Sequence, residues 1–300
     1  MKLIIISGRS GSGKSTVLNA LEDAGFNCID NFPVMLLQSL VQNTLRDTAR
    51  QNINMAVCID ARSRDLERFP DILLSVDRMS VDCQVIYLDA LSPTLVKRFS
   101  ETRRRHPLTN ESTDLRQAID AESELLDDIS DMADLTIDTT QLSTQALANL
   151  VSTRILSHQQ GTISLLFRSF GFKHGVPVDA DLVFDLRCLP NPHWVEALRP
   201  LNGLDQPVQN YLADQKLVKK MIGDISDYLD TWIPHFQNDA RVYLTVALGC
   251  TGGQHRSVYV AARLGEYFAA RYTNVLIRHR ELEGGLASPS HLNTQPVNKV

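Results

Sequence analysis

The stretch "LIIISGRSGSGKST", Leu3 to Thr16, decides the fold of this chain. An apolar run enters a turn rich in glycine and serine, and a helical pattern from Lys14 to Ala24 follows and stops at Gly25. Gly8, Gly13, Lys14 and Ser15 fit the pattern G-x-x-x-x-G-K-[ST] in the strand, turn and helix setting that this motif needs. Glycines let the backbone wrap inward, so that N–H groups and the start of the helix face phosphate oxygens. Lys14 is then expected to reach the β- and γ-phosphates of a nucleotide, and Ser15 to ligate the Mg²⁺ that the nucleotide carries. No N-K-x-D motif follows, so the base preference stays open.

Working outward, short apolar runs alternate with helical patterns, the signature of βαβ units and parallel sheets. Strands are expected at Leu3 to Ser7, Met55 to Asp60, Val85 to Asp89 and Leu135 to Asp138. Helices are expected at Leu91 to Thr102, Leu115 to Ile129 and Ser143 to Ser157. A second series starts at "TISLLFRSFGF" and continues with "ADLVFDLR", "RVYLTVALGC" and "NVLIRHR", with helices over Lys216 to Trp232 and Ser257 to Arg271. The fold class expected is α/β with two domains: a nucleotide-binding domain over 1–157 and a smaller α/β domain over 163–282. The remainder, 283–300, has no apolar periodicity and is expected to be a disordered tail.

Of the 300 residues 43% are hydrophobic, enough for two cores. No run of eighteen apolar residues occurs and no secretory pattern opens the chain, so a soluble cytoplasmic protein without a membrane span is expected. Five scattered cysteines without a CxxC pair argue for reduced thiols and against a zinc site. The net charge of −5 is uneven: residues 1–152 hold 22 acids against 15 bases, and residues 153–300 hold 13 against 15. The second half is thus the better candidate for an anionic partner.

Two further groups bear on phosphate in the first half. Asp60, at the end of "MAVCID", is either the acid that such folds place near Mg²⁺ or an ordinary strand-end aspartate. Arg98, Arg103, Arg104 and Arg105 in "RFSETRRRHPL" either close over phosphates or form a solvated basic helix end.

In the second half, "LGCTGGQHRSV" sets Cys250 and Arg256 six apart, the spacing of a Cys-x5-Arg phosphatase loop. The turn makes an anion nest whether or not the thiol reacts, and Gly249 stands where tyrosine phosphatases carry a histidine. Asp185, Arg187, Asn191 and His193 in "VFDLRCLPNPHW", and Lys173 and His174 in "FGFKHG", also follow strands and are expected to converge on this loop. A phosphosugar-like ligand is favoured over catalysis. The stretch "ARLGEYFAARYTNVLIRHR" interleaves Arg263, Arg271, Arg278, His279 and Arg280 with aromatic rings, a combination that suits RNA and equally suits a packed helix.

Seven motifs in order, "GRSGSGKS", "CIDNFP", "ETRRRHPL", "SFGFKHG", "DLRCLPNPHW", "LRPLNGLDQPV" and "GCTGGQHRSVY", closely resemble the RapZ (YvcJ-like) family of bacterial nucleotide-binding RNase adapter proteins. The resemblance implies a P-loop kinase-like N-terminal domain and a C-terminal domain that binds RNA. It implies an adapter that presents a small regulatory RNA to RNase E and so controls glucosamine-6-phosphate synthase, with glucosamine-6-phosphate as the sensed metabolite. It further implies self-association, as a homotetramer, and at most weak NTPase activity. Carried over by motif, Gly8, Arg9, Ser10, Gly11, Ser12, Gly13, Lys14 and Ser15 bind ATP, and Asp60, Ala61, Arg62 and Ser63 match a segment assigned to GTP. Asp185, Arg187, His193, Cys250, Thr251, Gly252, Gly253, His255 and Arg256 match the phosphosugar pocket. Lys173, Arg271, Arg278, His279 and Arg280 match RNA-contacting regions. The chain departs from the family at its end, where Glu281 and Glu283 precede an almost uncharged tail instead of a Lys/Arg cluster. Fewer cations mean fewer phosphate contacts and a flatter salt dependence. The rival readings are a small-molecule P-loop kinase and a Cys-x5-Arg phosphatase.

Overall fold

The computed structural model describes residues 2–46, 54–76, 81–102, 104–110, 112–156, 163–238 and 241–282. Its strands are β1 (Lys2–Gly8), β2 (Asn27–Ile29), β3 (Met55–Cys58), β4 (Asp82–Asp89), β5 (Leu135–Asp138), β6 (Ser164–Gly171), β7 (Leu182–Asp185), β8 (Tyr243–Cys250) and β9 (Val275–His279). Its helices are α1 (Lys14–Asp23), α2 (Leu37–Arg46), α3 (Phe69–Leu74), α4 (Ser92–Thr102), α5 (Leu115–Leu125), α6 (Asp127–Asp131), α7 (Thr144–Val151), α8 (Gln206–Ala213), α9 (Lys216–Asn238) and α10 (Arg256–Ala269).

Two parallel sheets result, in the orders β2-β3-β1-β4-β5 and β7-β8-β6-β9. Strand β1 is covered on both faces: Leu3, Ile4, Ile5 and Ile6 are fully buried. Such a run suits a central parallel strand, where both sides of the pleat are dry. Chain order reverses direction across β1, which lies between β3 and β4, and open α/β sheets bind ligands at that switch point beyond the strand ends. In the second sheet β6 and β8 are central and equally apolar, and α9 and α10 pack Val218, Ile225, Leu229, Ile233, Leu264 and Phe268 into its core.

The expected helix from Leu115 to Ile129 is broken at Leu126, where φ is −104° and ψ is 3°, so that α5 ends and α6 begins. The start of α5 is fixed by a capping box, with Asp114 accepting from the Gln117 N–H and Gln117 returning the bond. The stretch expected as one helix from Ser143 is α7 capped by Ser143, followed by a π-helical turn over Ser152–Leu156. Helix α9 runs past Pro234 to Asn238 instead of stopping at Trp232. The sequence reading passed over β2, α2, α3 and α8: β2 has three residues and α3 six, whereas α2 carries a clear helical pattern, with Leu37, Leu40, Val41 and Leu45 at i, i+3, i+4 and i+8. Residues 158–162, between the two expected domains, Arg103 and the tail 283–300 lie outside the described residues.

The two sheets' layers meet through specific bonds. The Tyr243 hydroxyl of β8 donates to Gln84 of β4 at 3.3 Å, and Lys2 of β1 steadies the π turn at this seam by donating to the Ile155 carbonyl at 3.0 Å. Arg154, in the π turn, is fully buried, donates to Thr245 at 3.3 Å and lies 5.4 Å from the Tyr243 ring centroid. Burial pulls its guanidinium down to about 10, and its Nε and Nη2 find no hydrogen-bond partner.

Gly8 ends β1 with φ +137°, and a Cβ there would lie 2.0 Å from the Leu88 carbonyl oxygen of β4. Gly8→Ala is therefore expected to cost at least about 3 kcal/mol, from backbone strain plus a clash that only main-chain movement relieves. The check is a fall in the urea midpoint at unchanged slope; an unshifted midpoint contradicts the strain.

Candidate functional site

A cavity of about 590 Å³ opens over the loop that follows β1. Ser10 to Thr16 line it, together with Asp30, Asp60, Arg62, Arg98, Arg104, Arg105 and the start of α7. Gly13 has φ +107° as N-cap of α1, which leaves the first turn of that helix open to an anion. Lys14 folds back on the loop and donates to the Gly8 carbonyl at 2.6 Å and the Arg9 carbonyl at 3.2 Å.

Not every residue read as a nucleotide contact faces this cavity. The Arg9 side chain turns away and donates to Asp89 at 2.6 Å, to Ser92 at 2.9 Å and to the Ala90 carbonyl, tying the loop to the end of β4. Gly8, Ala61 and Ser63 are also absent from the lining, and the Ser63 hydroxyl accepts the Val34 N–H at 3.2 Å. Asp60 and Arg62 do face it, joined by a two-pronged ion pair with Nη2 to Oδ2 at 2.5 Å. Burial by itself would raise the Asp60 carboxyl, but bonds from Arg62 and the charge of Lys14 outweigh it and hold the group below its usual range. An ionised carboxylate therefore stands beside the loop, as Mg²⁺ held through Ser15 would require. Arg98 is committed to the loop and to the end of β5, reaching the Gly11 carbonyl and the Thr139 hydroxyl at 3.0 Å and also the Thr139 carbonyl. Arg104 and Arg105 are exposed and have no partner among the described residues.

A second set of loops gathers at the C-terminal edge of the other sheet. Cys250 ends β8 and is 3% exposed; its sulfur accepts the Gly253 N–H at 3.2 Å and pairs with the Ser257 hydroxyl at 3.1 Å. Arg256 opens α10 and donates to the carbonyls of Arg187 and Leu189, both at 3.0 Å, with Thr251 at 3.4 Å. It fastens the loop after β7 to the loop after β8, and its Nε is buried without a partner. Arg187 pairs with Asp185 at 2.6 Å and lies 4.0 Å from the Phe172 ring centroid. The His193 and His255 rings are 6.4 Å apart; His255 is buried, which lowers its affinity for a proton, and its Nε2 is 3.2 Å from the Leu198 carbonyl. Gly249 has a steric cause: a Cβ there would lie 2.4 Å from the Phe172 ring and 2.5 Å from the Phe170 ring. The position that carries a histidine in tyrosine phosphatases has no room for one here.

The residues read as RNA contacts are not presented together. Arg280 is 3% exposed and donates to the carbonyls of Gly171 at 3.2 Å and Gly175 at 2.7 Å while pairing with Glu281 at 3.0 Å, so it is no surface cation. The His279 ring is partly buried 3.0 Å from the Ser169 hydroxyl, and burial pushes it down to about 4, so it is uncharged at neutral pH. Arg278 is half-buried in β9. Arg271 is exposed and sits 4.0 Å from the Tyr267 ring centroid. Lys173 lies at the Cys250 loop, its N–H 3.3 Å from the Thr251 carbonyl and its Nζ 4.0 Å from the Cβ position of Gly252. Sequence reasoning passed over Asp30, Thr139, Glu122 and the start of α7; only the Asp30 turn, in "DNFP", carries a local signal.

Residues 1–159 match the RapZ-like N-terminal domain, and residues 163–283 match the RapZ C-terminal domain. The chain belongs to the RapZ family. A protein of Hahella chejuensis described as a nucleotide-binding protein is 52% identical over 284 residues, 94% of this chain and 99% of that one. One of Stutzerimonas stutzeri with the same description is 54% identical and is covered to 100%. A sugar kinase from Janibacter is a distant structural neighbour, with 15% identity and a TM-score of 0.36 over 51% of this chain and 93% of that one. Among the described residues no helix is long and apolar enough to cross a membrane.

His279 makes stability depend on pH. Its ordinary value is 6.5 and its folded value about 4, so between these limits the unfolded chain holds the extra proton. Acidification from pH 6.5 to 4 is expected to remove up to roughly 3 kcal/mol through this group. His279→Asn should lose less stability than the unaltered chain between pH 7 and 4.5, measured by urea midpoints; identical losses would assign the slope elsewhere.

Proposed function

We propose that the chain is a nucleotide-binding adapter that binds small regulatory RNA and delivers it to RNase E, with glucosamine-6-phosphate as the metabolite sensed at the Cys250 loop. Family membership supports the nucleotide and RNA roles, and the relatives described as nucleotide-binding proteins agree with the first. The observation that carries the sensing role is the state of Cys250 and Arg256. A buried thiol, beside an arginine spent on carbonyls rather than aimed at the loop, suits a loop that holds phosphate without attacking it. Exposed Thr251 and half-buried Gly252 form the rim of that cradle, and Lys173, Asp185, Arg187 and His193 stand around it. ATP or GTP with Mg²⁺ occupies the first site in this reading, with Ser15 on the metal. Arg271, stacked on Tyr267, remains a surface cation for RNA phosphate. The adapter works in the cytoplasm as a homotetramer.

A gel shift with the cognate small RNA at moderate salt tests the reading. Binding below micromolar protein is expected, altered by glucosamine-6-phosphate and indifferent to the sugar phosphate in Arg256→Ala. No shift below micromolar protein would count against RNA binding, and a full sugar-phosphate response in Arg256→Ala would remove Arg256 from sensing.

A second reading, phosphoryl transfer to a small molecule, draws on Asp30, Arg104 and Arg105 in the same cavity as Lys14. It expects labelled γ-phosphate to move from ATP to a metabolite in a mixture and to stay put in Lys14→Ala. Release of inorganic phosphate alone would leave the adapter reading as the better account.

A further inference from the structure

Glu122 on α5 and His106, in the segment after α4, both have fully buried side chains; His106 directly follows the arginines of "RFSETRRRHPL", and Glu122 belongs to no motif read for phosphate. A buried carboxylate persists only where its partners replace water. Glu122 has three bonds: Oε2 accepts the Ser10 N–H at 2.7 Å, Oε1 accepts the Ser10 hydroxyl at 2.7 Å, and His106 Nε2 lies 3.0 Å from Oε2. His106 Nδ1 accepts the Leu108 N–H at 3.2 Å, which leaves the ring proton on Nε2, directed at Glu122. The same ring packs 5.0 Å from Phe99, which in turn lies under Gly11 of the phosphate loop. Burial would raise the Glu122 carboxyl, but His106, Ser10 and Lys14 outweigh it and keep the group below its ordinary range. An ionised carboxylate thus bolts the phosphate loop to the segment that carries Arg104 and Arg105.

Those two guanidinium groups line the nucleotide cavity and have no partner among the described residues, whereas Arg98 is committed to Gly11 and Thr139. In that setting the loop amides would serve the inner phosphates and Lys14 would span the β- and γ-phosphates, which leaves the outer oxygens of the terminal phosphate to other cations. We propose that Arg104 and Arg105 form a subsite for the terminal phosphate of a nucleoside triphosphate, and that Glu122 and His106 are positioning residues that hold this subsite over the loop. The inference rests on the reading that Ser10 to Ser15 cradle nucleotide phosphates. A diphosphate leaves the subsite empty, so the bolt governs preference for triphosphate over diphosphate.

Titration calorimetry with Mg²⁺ and either ADP or a non-hydrolysable ATP analogue tests it on the full chain. R104A/R105A is expected to weaken the analogue about tenfold or more and ADP less than about twofold, the scale of losing charge-assisted bonds to one phosphate. His106→Ala and Glu122→Gln should show the same selective loss. His106→Gln, whose amide N–H can stand in for Nε2–H, should keep most of the discrimination. Adding Glu122→Gln to R104A/R105A should cost little more than R104A/R105A alone. Equal weakening of both nucleotides in the Glu122 and His106 variants would reduce the bolt to general support of the loop and overturn the proposal. Unchanged discrimination in R104A/R105A would overturn the subsite. Failure of the unaltered chain to bind either nucleotide would instead defeat the underlying nucleotide reading. Should Glu122→Gln fail to fold, the contrast between His106→Ala and His106→Gln decides the matter.

Discussion

Parallel pairing is the constraint on which the molecule depends. In a sheet whose strands all run one way, every strand ends at the same edge, and each helix that follows starts there. Unpaired N–H groups of helix starts and unpaired carbonyls of strand ends therefore collect along one border. Each of the two sheets has such a border, and each border has a glycine-containing turn between a central strand and a helix: Gly8 to Gly13 after β1, and Thr251 to His255 after β8. The likeness between the sites is topological, and their side chains give them different uses. A lysine with a nearby ionised aspartate marks the first; a sequestered thiol and an arginine clasp mark the second.

The clasp recurs. Arg9, Arg98, Arg256 and Arg280 each point at main-chain carbonyls of a neighbouring loop. Guanidinium suits this, since its donors fan out in a plane and it loses hydration more readily than an ammonium. Turns at a sheet border expose carbonyls that no ladder can satisfy, and one arginine can satisfy two of them. In this protein arginine is as much the mortar of the loops as a ligand for anions.

That double use sets the limit of what the sequence discloses. The phosphate loop is legible because its chemistry is local: glycines, lysine and serine within eight residues act through the backbone they bend. Cys250 to Arg256 is legible as an anion nest for the same reason, and the alternating strand and helix patterns suffice for two α/β layers. Whether Arg9 or Arg280 meets solvent is not local. It depends on which carbonyls lie across the turn, at Ala90 for one and at Gly171 and Gly175 for the other. Glu122 is harder still, because it reaches Ser10 across 112 residues and sits in an acidic helix that reads as solvated. The break at Leu126 and the π turn at Ser152–Leu156 likewise arise from packing and leave no mark in periodicity.

Arg154 gives the junction between the two layers a particular character. A cation sealed against Tyr243 and Thr245, with two nitrogens unserved, is steadied by that ring, that hydroxyl and the charges of Asp179 and Asp181. Any parting of the seam would let water reach it and recover solvation that the closed form withholds. The joint thus carries a charge that leans on Asp179 and Asp181 for part of what water would give it.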